Sequence, residues 1–180
     1  MLSNVRKDLL RYKEPDNRMH WEEFSIPSIL LYRSGYAIRA IKFFPLRIVL
    51  TILHLPFFML YTLLSGIQIP RGCSIGPGLR IYHFGCIVLN PLTEIGKNCT
   101  LRHGVTIGNR KEIDDVPVIG DNVDIGAGAK ILGRIRIGNN VTIGANAVVI
   151  NDIPDNHIAV GIPAKAIPKK KKHYEITFHS

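Results

Sequence analysis

From Leu89 to Val149 the chain reads LNPLTEIGKNCTLRHGVTIGNRKEIDDVPVIGDNVDIGAGAKILGRIRIGNNVTIGANAVV. Every sixth residue of it is aliphatic: Leu89, Ile95, Leu101, Ile107, Ile113, Ile119, Ile125, Ile131, Ile137, Ile143 and Val149. The same beat precedes it at Ile69, Ile75, Ile81 and Ile87, and the two phases differ by a two-residue insertion placed at Val88 to Asn90. A period of six fits neither an amphipathic helix nor a simple alternating strand, so it marks the repeat of a larger unit. Gly follows the aliphatic residue at Gly76, Gly96, Gly108, Gly120, Gly126, Gly138 and Gly144, and a small or aliphatic residue such as Cys73, Cys99, Val105, Val123, Ala129, Val141 or Ala147 stands four places after it. The pattern predicts a solenoid of short strands with the periodic aliphatics stacked inside and Gly letting the backbone bend at tight corners.

The rest of the chain is arranged around that solenoid. With 180 residues the protein is one domain, or a domain with an extension, and is long enough for a continuous core. Residues 1–66 read as an α-helical N-terminal region, 67–162 as the repeat with a loop near 109–117, and 163–180 as a basic tail. A short helix is expected within Met1–Asp16, and a second from about Ser28, where Gly35 weakens an unbroken reading. Ile48 to Leu64 is the most apolar run, broken only by Thr51, His54, Tyr61 and Thr62, with Pro56 near its middle. A membrane span wants about 20 such residues. The length rule favours a helix that covers the open end of the solenoid and packs against neighbouring subunits, with interfacial membrane contact and a true span as the other readings.

The formal net charge of +9 sits at the two ends, with +4 in 1–66, +1 in 67–162 and +4 in 163–180. A nucleic-acid binder would carry its basic residues on one ordered face with interleaved aromatics, and the strands offer neither. Cys73, Cys86 and Cys99 all lie in the repeat, two of them at the small inward position, and are expected to be reduced, buried thiols of a cytoplasmic protein. No cysteine or histidine spacing fits zinc, and no metal is expected.

The segments Ile81-Tyr82-His83-Phe84-Gly85-Cys86-Ile87-Val88, Leu101-Arg102-His103-Gly104-Val105-Thr106-Ile107-Gly108-Asn109, Ile125-Gly126-Ala127-Gly128-Ala129-Lys130-Ile131-Leu132-Gly133 and Gly161-Ile162-Pro163-Ala164-Lys165 resemble the hexapeptide-repeat acyltransferases. The likeness is to serine acetyltransferases and to the O-acetyltransferases of surface-polysaccharide synthesis, over roughly residues 66 to 168. It implies a mainly β fold: a left-handed parallel β-helix of three hexads per coil behind the helical N-terminal region. It also implies a homotrimer with active sites between subunits, leaving open whether trimers pair through residues 1–66.

In that family the histidine at the position of His83 takes the proton from the acceptor hydroxyl as it attacks the thioester of acetyl-CoA, and imidazole suits a base near neutral pH. His103 lies 20 residues on, one 18-residue coil plus the insertion, and both follow a periodic aliphatic by two. The two imidazoles are therefore expected on one face of adjacent coils, with backbones about 4.8 Å apart, so that His103 can bind the acceptor or tune His83. The family's carboxylates that hold the base read Gln68 and Tyr82 here, and one of these or a backbone carbonyl would then fix its tautomer. The resemblance further implies a pantetheine groove at Gly108, Asn109, Ala127, Gly128 and Ala145, with Lys165 and the run from Lys169 to Lys172 near the phosphates of CoA.

Two alternatives stay beside this reading: a non-catalytic trimeric assembly module, and a metal-dependent β-helix hydratase, for which the required pair of histidines five residues apart is missing. For the acceptor, a sugar hydroxyl on a surface-polysaccharide precursor is expected ahead of serine. A basic pair that would hold an amino-acid carboxylate is replaced by Asp115 and Val116, the His103 motif looks more like the polysaccharide enzymes, and the apolar run with basic ends would suit peripheral contact with the inner membrane surface. Serine O-acetylation is the alternative, since a shared fold does not settle a substrate.

Overall fold

The computed structural model describes residues 2–13, 23 and 25–170. Three helices, α1 (Leu2–Leu10), α2 (Ser25–Arg39) and α3 (Phe44–Ser65), precede a solenoid of parallel strands. One face stacks β1 (Ile67–Gln68), β4 (Ile87–Leu89), β7 (Thr106–Gly108), β10 (Lys130–Leu132) and β13 (Val148–Val149). A second stacks β2 (Ser74–Ile75), β5 (Glu94–Ile95), β8 (Val118–Ile119) and β11 (Arg136–Ile137). The third stacks β3 (Arg80–Tyr82), β6 (Thr100–Arg102), β9 (Asp124–Ile125), β12 (Thr142–Ile143) and β14 (His157–Gly161), which turns back antiparallel into β15 (Ala164–Pro168). The architecture is that of the left-handed β-helix.

The hexad aliphatics fill the interior as the period requires: Ile81, Leu101, Ile107, Ile125 and Ile131 are fully buried, and Cys73, Cys99, Val105, Val123, Ala129, Val141 and Ala147 fill the gaps between them. Ile113 is the exception at 83% exposed, because between Gly108 and Val118 the chain leaves the coil in the expected loop.

Strand pairing corrects one detail of the sequence reading. Ile67 pairs with Ile87, 20 residues on, whereas Val88 pairs with Thr106, 18 residues on. The extra two residues therefore lie before Ile87, in the corner His83–Cys86, and not at Val88–Asn90. Ile87 keeps the beat of the first phase and, two residues before Leu89 as Val105 is before Ile107, also fills the small-or-aliphatic position of the second, so the period alone could not place the insertion.

The glycines after the aliphatics are needed for proximity, since a Cβ on Gly96 would lie 2.6 Å from the carbonyl carbon of Gly120 and one on Gly126 would lie 2.5 Å from the amide nitrogen of Ala145. Many of the bends come from left-handed asparagines, among them Asn98, Asn122, Asn140 and Asn156, a conformation that Asn tolerates better than most residues. Their amides form a ladder across successive coils, Asn98 to Asn122 at 3.0 Å, then to Asn140 and Asn156 at 3.1 Å each.

The open end of the first coil is covered by α1 and α2, not by the apolar run. Its backbone polar groups find side-chain partners in place of a preceding coil. Asp8 accepts the amides of Gly78 (2.7 Å) and Leu79 (2.9 Å), and Arg33 donates to the carbonyls of Ile75 (2.6 Å) and Gly76 (2.7 Å). The Tyr32 hydroxyl donates to Cys73 at 2.9 Å, that of Tyr12 accepts the Ile81 amide at 2.8 Å, and Ser25 donates to the Ile81 carbonyl at 2.8 Å. Burial pushes the Tyr12 and Tyr32 phenols above their ordinary range, which keeps both neutral. Asp8 and Arg33 also pair directly at 2.8 Å with almost no exposure. Helix α2 starts three residues earlier than the expected Ser28, with Pro27 in its first turn where a missing N–H costs nothing. Gly35 lies inside it because a Cβ would meet Arg71 at 2.7 Å.

Asp8→Ala leaves a buried guanidinium unpaired and should cost about 3–5 kcal/mol of stability in denaturant titration. Asp114→Ala, which breaks a pair with Arg134 that is about 70% exposed, should cost under about 1 kcal/mol. Equal costs would remove Asp8 from its place as keystone of the cap.

The expectation of three buried thiols holds for two. Burial pushes the Cys73 and Cys99 thiols up to about 12, while Cys86 is exposed in the His83 corner. At pH 8 the native protein should therefore react rapidly with one equivalent of a thiol reagent, at Cys86, and with three only after unfolding; peptide mapping of the labelled chain checks this.

Candidate active site

His83 follows β3 directly and His103 follows β6, and these strands pair with Tyr82 opposite Arg102. The rings meet edge to face with centroids 5.9 Å apart, and both side chains are exposed. His83 adopts φ 64°, a left-handed backbone that costs a non-glycine residue roughly 1 kcal/mol or more. The two-residue enlargement of this corner turns the chain there, with Gly85 and Cys86 also at positive φ. The Gly104 amide donates to the Gly85 carbonyl at 3.0 Å, so the corner is seated on the next coil.

Below His103, the Gly128 amide donates to its carbonyl at 2.9 Å, and Lys130 Nζ donates to the Gly104 carbonyl at 2.5 Å and to Thr106 Oγ1 at 3.1 Å. Among the described residues, neither imidazole donates to or accepts from another side chain. Gln68 is exposed on β1 with no hydrogen bond to His83, and the Tyr82 ring lies 6.4 Å from that of His83. The orienting roles expected for Gln68 and Tyr82 thus have no hydrogen bond behind them within one chain.

Three residues beside the pair had not been singled out in the sequence. Arg80 and Arg102 lie over the Tyr82 ring at 4.0 and 5.4 Å, and Arg102 is ion-paired with Asp124. Arg80 also lies 5.4 Å from the Tyr12 ring, which links the site to the helical cap. The signal was present: the 20-residue offset that relates His83 to His103 also relates Tyr82 to Arg102.

The expected donor groove divides by cause. A Cβ on Gly128 would fall 2.0 Å from Asn146 Oδ1 and its φ of 73° is left-handed, so the coil itself asks for that glycine. A Cβ on Gly108 would meet nothing within 4 Å, and its φ is ordinary, so nothing in its own chain demands a glycine there. Asn109 is exposed next to it and accepts from Asn90 Nδ2 at 3.3 Å. Ala127 and Ala145 lie in the following coils, half-buried and exposed respectively. Lys165 is exposed on β15, and Lys169 donates to the Asn140 carbonyl at 2.6 Å. Lys171 and Lys172 lie outside the described residues. In the loop, Asp115 accepts the amides of Lys111 and Arg134, and Asp114 pairs with Arg134. Among the described residues, no three His, Cys, Asp or Glu side chains converge as metal ligands would.

Comparison with known proteins finds relatives along most of the chain. Residues 117–151 match the bacterial transferase hexapeptide (six repeats) family. A serine acetyltransferase of Helicobacter pylori J99 is 38% identical over 165 residues, covering 88% of this chain and 92% of that protein. WcaB of Escherichia coli K12, assigned to colanic acid biosynthesis as an acetyltransferase, is 41% identical over 115 residues, 61% of this chain and 71% of that one. The crystal structure of Neisseria gonorrhoeae serine acetyltransferase in complex with serine superposes with a TM-score of 0.75 at 31% identity, covering 91% of this chain and 68% of that chain. With its coils, its histidine pair and a relative matched almost end to end, the chain belongs to the hexapeptide-repeat acyltransferase family and is an O-acetyltransferase.

Proposed function

We propose that the protein transfers the acetyl group of acetyl-CoA to the hydroxyl of L-serine, with His83 as the general base. The observation that carries hydroxyl acylation is the meeting of two exposed imidazoles on adjacent coils, their centroids 5.9 Å apart. His83 accepts the proton of the acceptor hydroxyl as the new ester bond forms and returns it to the departing thiolate of CoA, so one imidazole serves as base and then acid. His103, one coil on, meets the acceptor and holds the oxygen toward the thioester. The open backbone at Gly108 with Ala127 and Ala145 holds the pantetheine arm, and Lys165 and Lys169 meet the phosphates. The active unit is a homotrimer whose neighbouring subunit completes the groove.

Serine now stands ahead of the sugar hydroxyl expected from the sequence, for two reasons. The serine acetyltransferase likeness runs through the helical region as well as the coils, whereas the WcaB likeness covers 61% of the chain. The Asp115 carboxylate, whose charge spoke against an amino-acid acceptor, accepts the amides of Lys111 and Arg134 and braces the loop.

Purified protein given acetyl-CoA and millimolar L-serine should form O-acetylserine at more than about 1 per second, within the ordinary enzymatic range. Acetylation of nucleotide sugars or oligosaccharides with serine left untouched would restore the polysaccharide reading. His83→Ala should lower turnover at least about a hundredfold with assembly unchanged; near-normal turnover would remove the base. His103→Ala should raise the KM for serine more than that for acetyl-CoA, and equal effects on the two would contradict its place at the acceptor.

A further inference from the structure

Helix α3 is 22 residues long and is the one helix among the described residues long and apolar enough to cross a membrane, yet it packs sideways on α2. On its inner side His54 and Ser65 are buried, with His54 Nε2 at 3.0 Å from the Leu31 carbonyl and 3.1 Å from Ser34 Oγ. On its outer side Val49, Ile52, Met59, Leu60 and Leu63 form a stripe at helical spacing, and Ile52 and Leu63 are 63% and 80% exposed. A helix packed on α2 through this side and followed directly by the coil at Gly66 can lie along an apolar layer with its other side in it.

At the N-terminal end of α3, a cavity of about 500 Å³ is lined by Arg39, Arg47 and Arg71 together with Phe44, Ile48 and Ile52. Its arginines are weakly engaged: Arg39 reaches the Arg71 carbonyl at 3.4 Å, Arg71 reaches Thr51 Oγ1 at 3.5 Å, and Arg47 rests 5.3 Å from the Phe44 ring. Among the described residues no carboxylate pairs with any of the three, and the sequence contains no Asp or Glu between Phe24 and Thr93. Phe43, at the N-cap, gives the helix no side-chain cap. Ile52 belongs both to the cavity wall and to the apolar stripe, so the two form one surface.

We propose that this surface docks on an anionic phospholipid bilayer, with the outer stripe of α3 lying among the acyl chains and Arg39, Arg47 and Arg71 holding lipid phosphates. Guanidinium groups match phosphate oxygens in geometry and charge, and an apolar helix flanked by cations is the form that seats a protein in the membrane interface. A two-fold contact through this whole surface would bury the same three cations twice with no carboxylate on it to offset them, since such an interface presents the same patch on both copies. The proposal is independent of the acceptor and of the mechanism.

The test is vesicle flotation of the full chain. Wild-type protein should float with phosphatidylcholine vesicles containing about one third phosphatidylglycerol, should float far less with phosphatidylcholine alone, and should be released by raised salt. Replacing Arg39, Arg47 and Arg71 together by Gln should lower partitioning about a hundredfold, and Ile52→Glu with Leu63→Glu should abolish it, while millimolar inorganic phosphate leaves it unchanged. Failure of the wild type to float, or equal flotation of the arginine variant, would overturn the proposal. Competition by inorganic phosphate would instead assign the cavity to a soluble anion. A wild-type assembly that does not float and falls to smaller species in the Ile52→Glu, Leu63→Glu variant would assign the face to a second copy of the chain.

Discussion

Stacking flat coils leaves one face of the first coil with backbone donors and acceptors that no neighbouring strand can meet, and the N-terminal region answers that constraint. Asp8, Tyr12, Ser25, Tyr32 and Arg33 give these groups side-chain partners between Cys73 and Ile81. The central pair, Asp8 and Arg33, is buried, but each charge is also spent on the coil: the carboxylate on two amides and the guanidinium on two carbonyls. A buried pair repays its desolvation only when such further hydrogen bonds are made. At the far end β15 returns antiparallel along β14 and pairs its edge.

The same stacking shapes the candidate active site. Regular coils hold adjacent backbones so close that glycine is required after the aliphatic residues at Gly96, Gly120 and Gly126. Where a coil is enlarged by two residues, at His83–Cys86, the chain escapes that regularity and carries an imidazole on a left-handed backbone beside the next coil's histidine. The stiffness of the coils holds the pair in place, because a slip in register would move every buried aliphatic with it. The cap and the site are joined through Arg80, whose guanidinium lies between the rings of Tyr12 and Tyr82. The N-terminal helical region that closes the first coil therefore also borders the candidate site.

How far the site was legible depends on the residue. His83 and His103 could be brought together on paper because their offset is a coil length plus the insertion, and Arg102 opposite Tyr82 obeys the same arithmetic. Gln68 and Tyr82 could not be judged in this way, since whether they reach an imidazole depends on side-chain direction at a corner of irregular geometry. Gly108 and Gly128 look alike in sequence, and only the positions of neighbouring atoms separate a glycine that packing requires from one whose surroundings are open.

The sequence by itself determined the solenoid, the loop after Gly108, the identity of the inward residues and the juxtaposition of the histidines. All but the loop follow from the period, which is repeated in every coil; the loop shows instead in the charges crowded around Ile113, which keeps the beat but not the burial. The tertiary structure alone decided where the two extra residues lie, which helices close the first coil, that Cys86 is exposed, and that α3 keeps its apolar stripe uncovered. The physical reason is distance along the chain. Asp8 meets Gly78 and Leu79 across some 70 residues, and such contacts leave no mark on the local pattern of either partner.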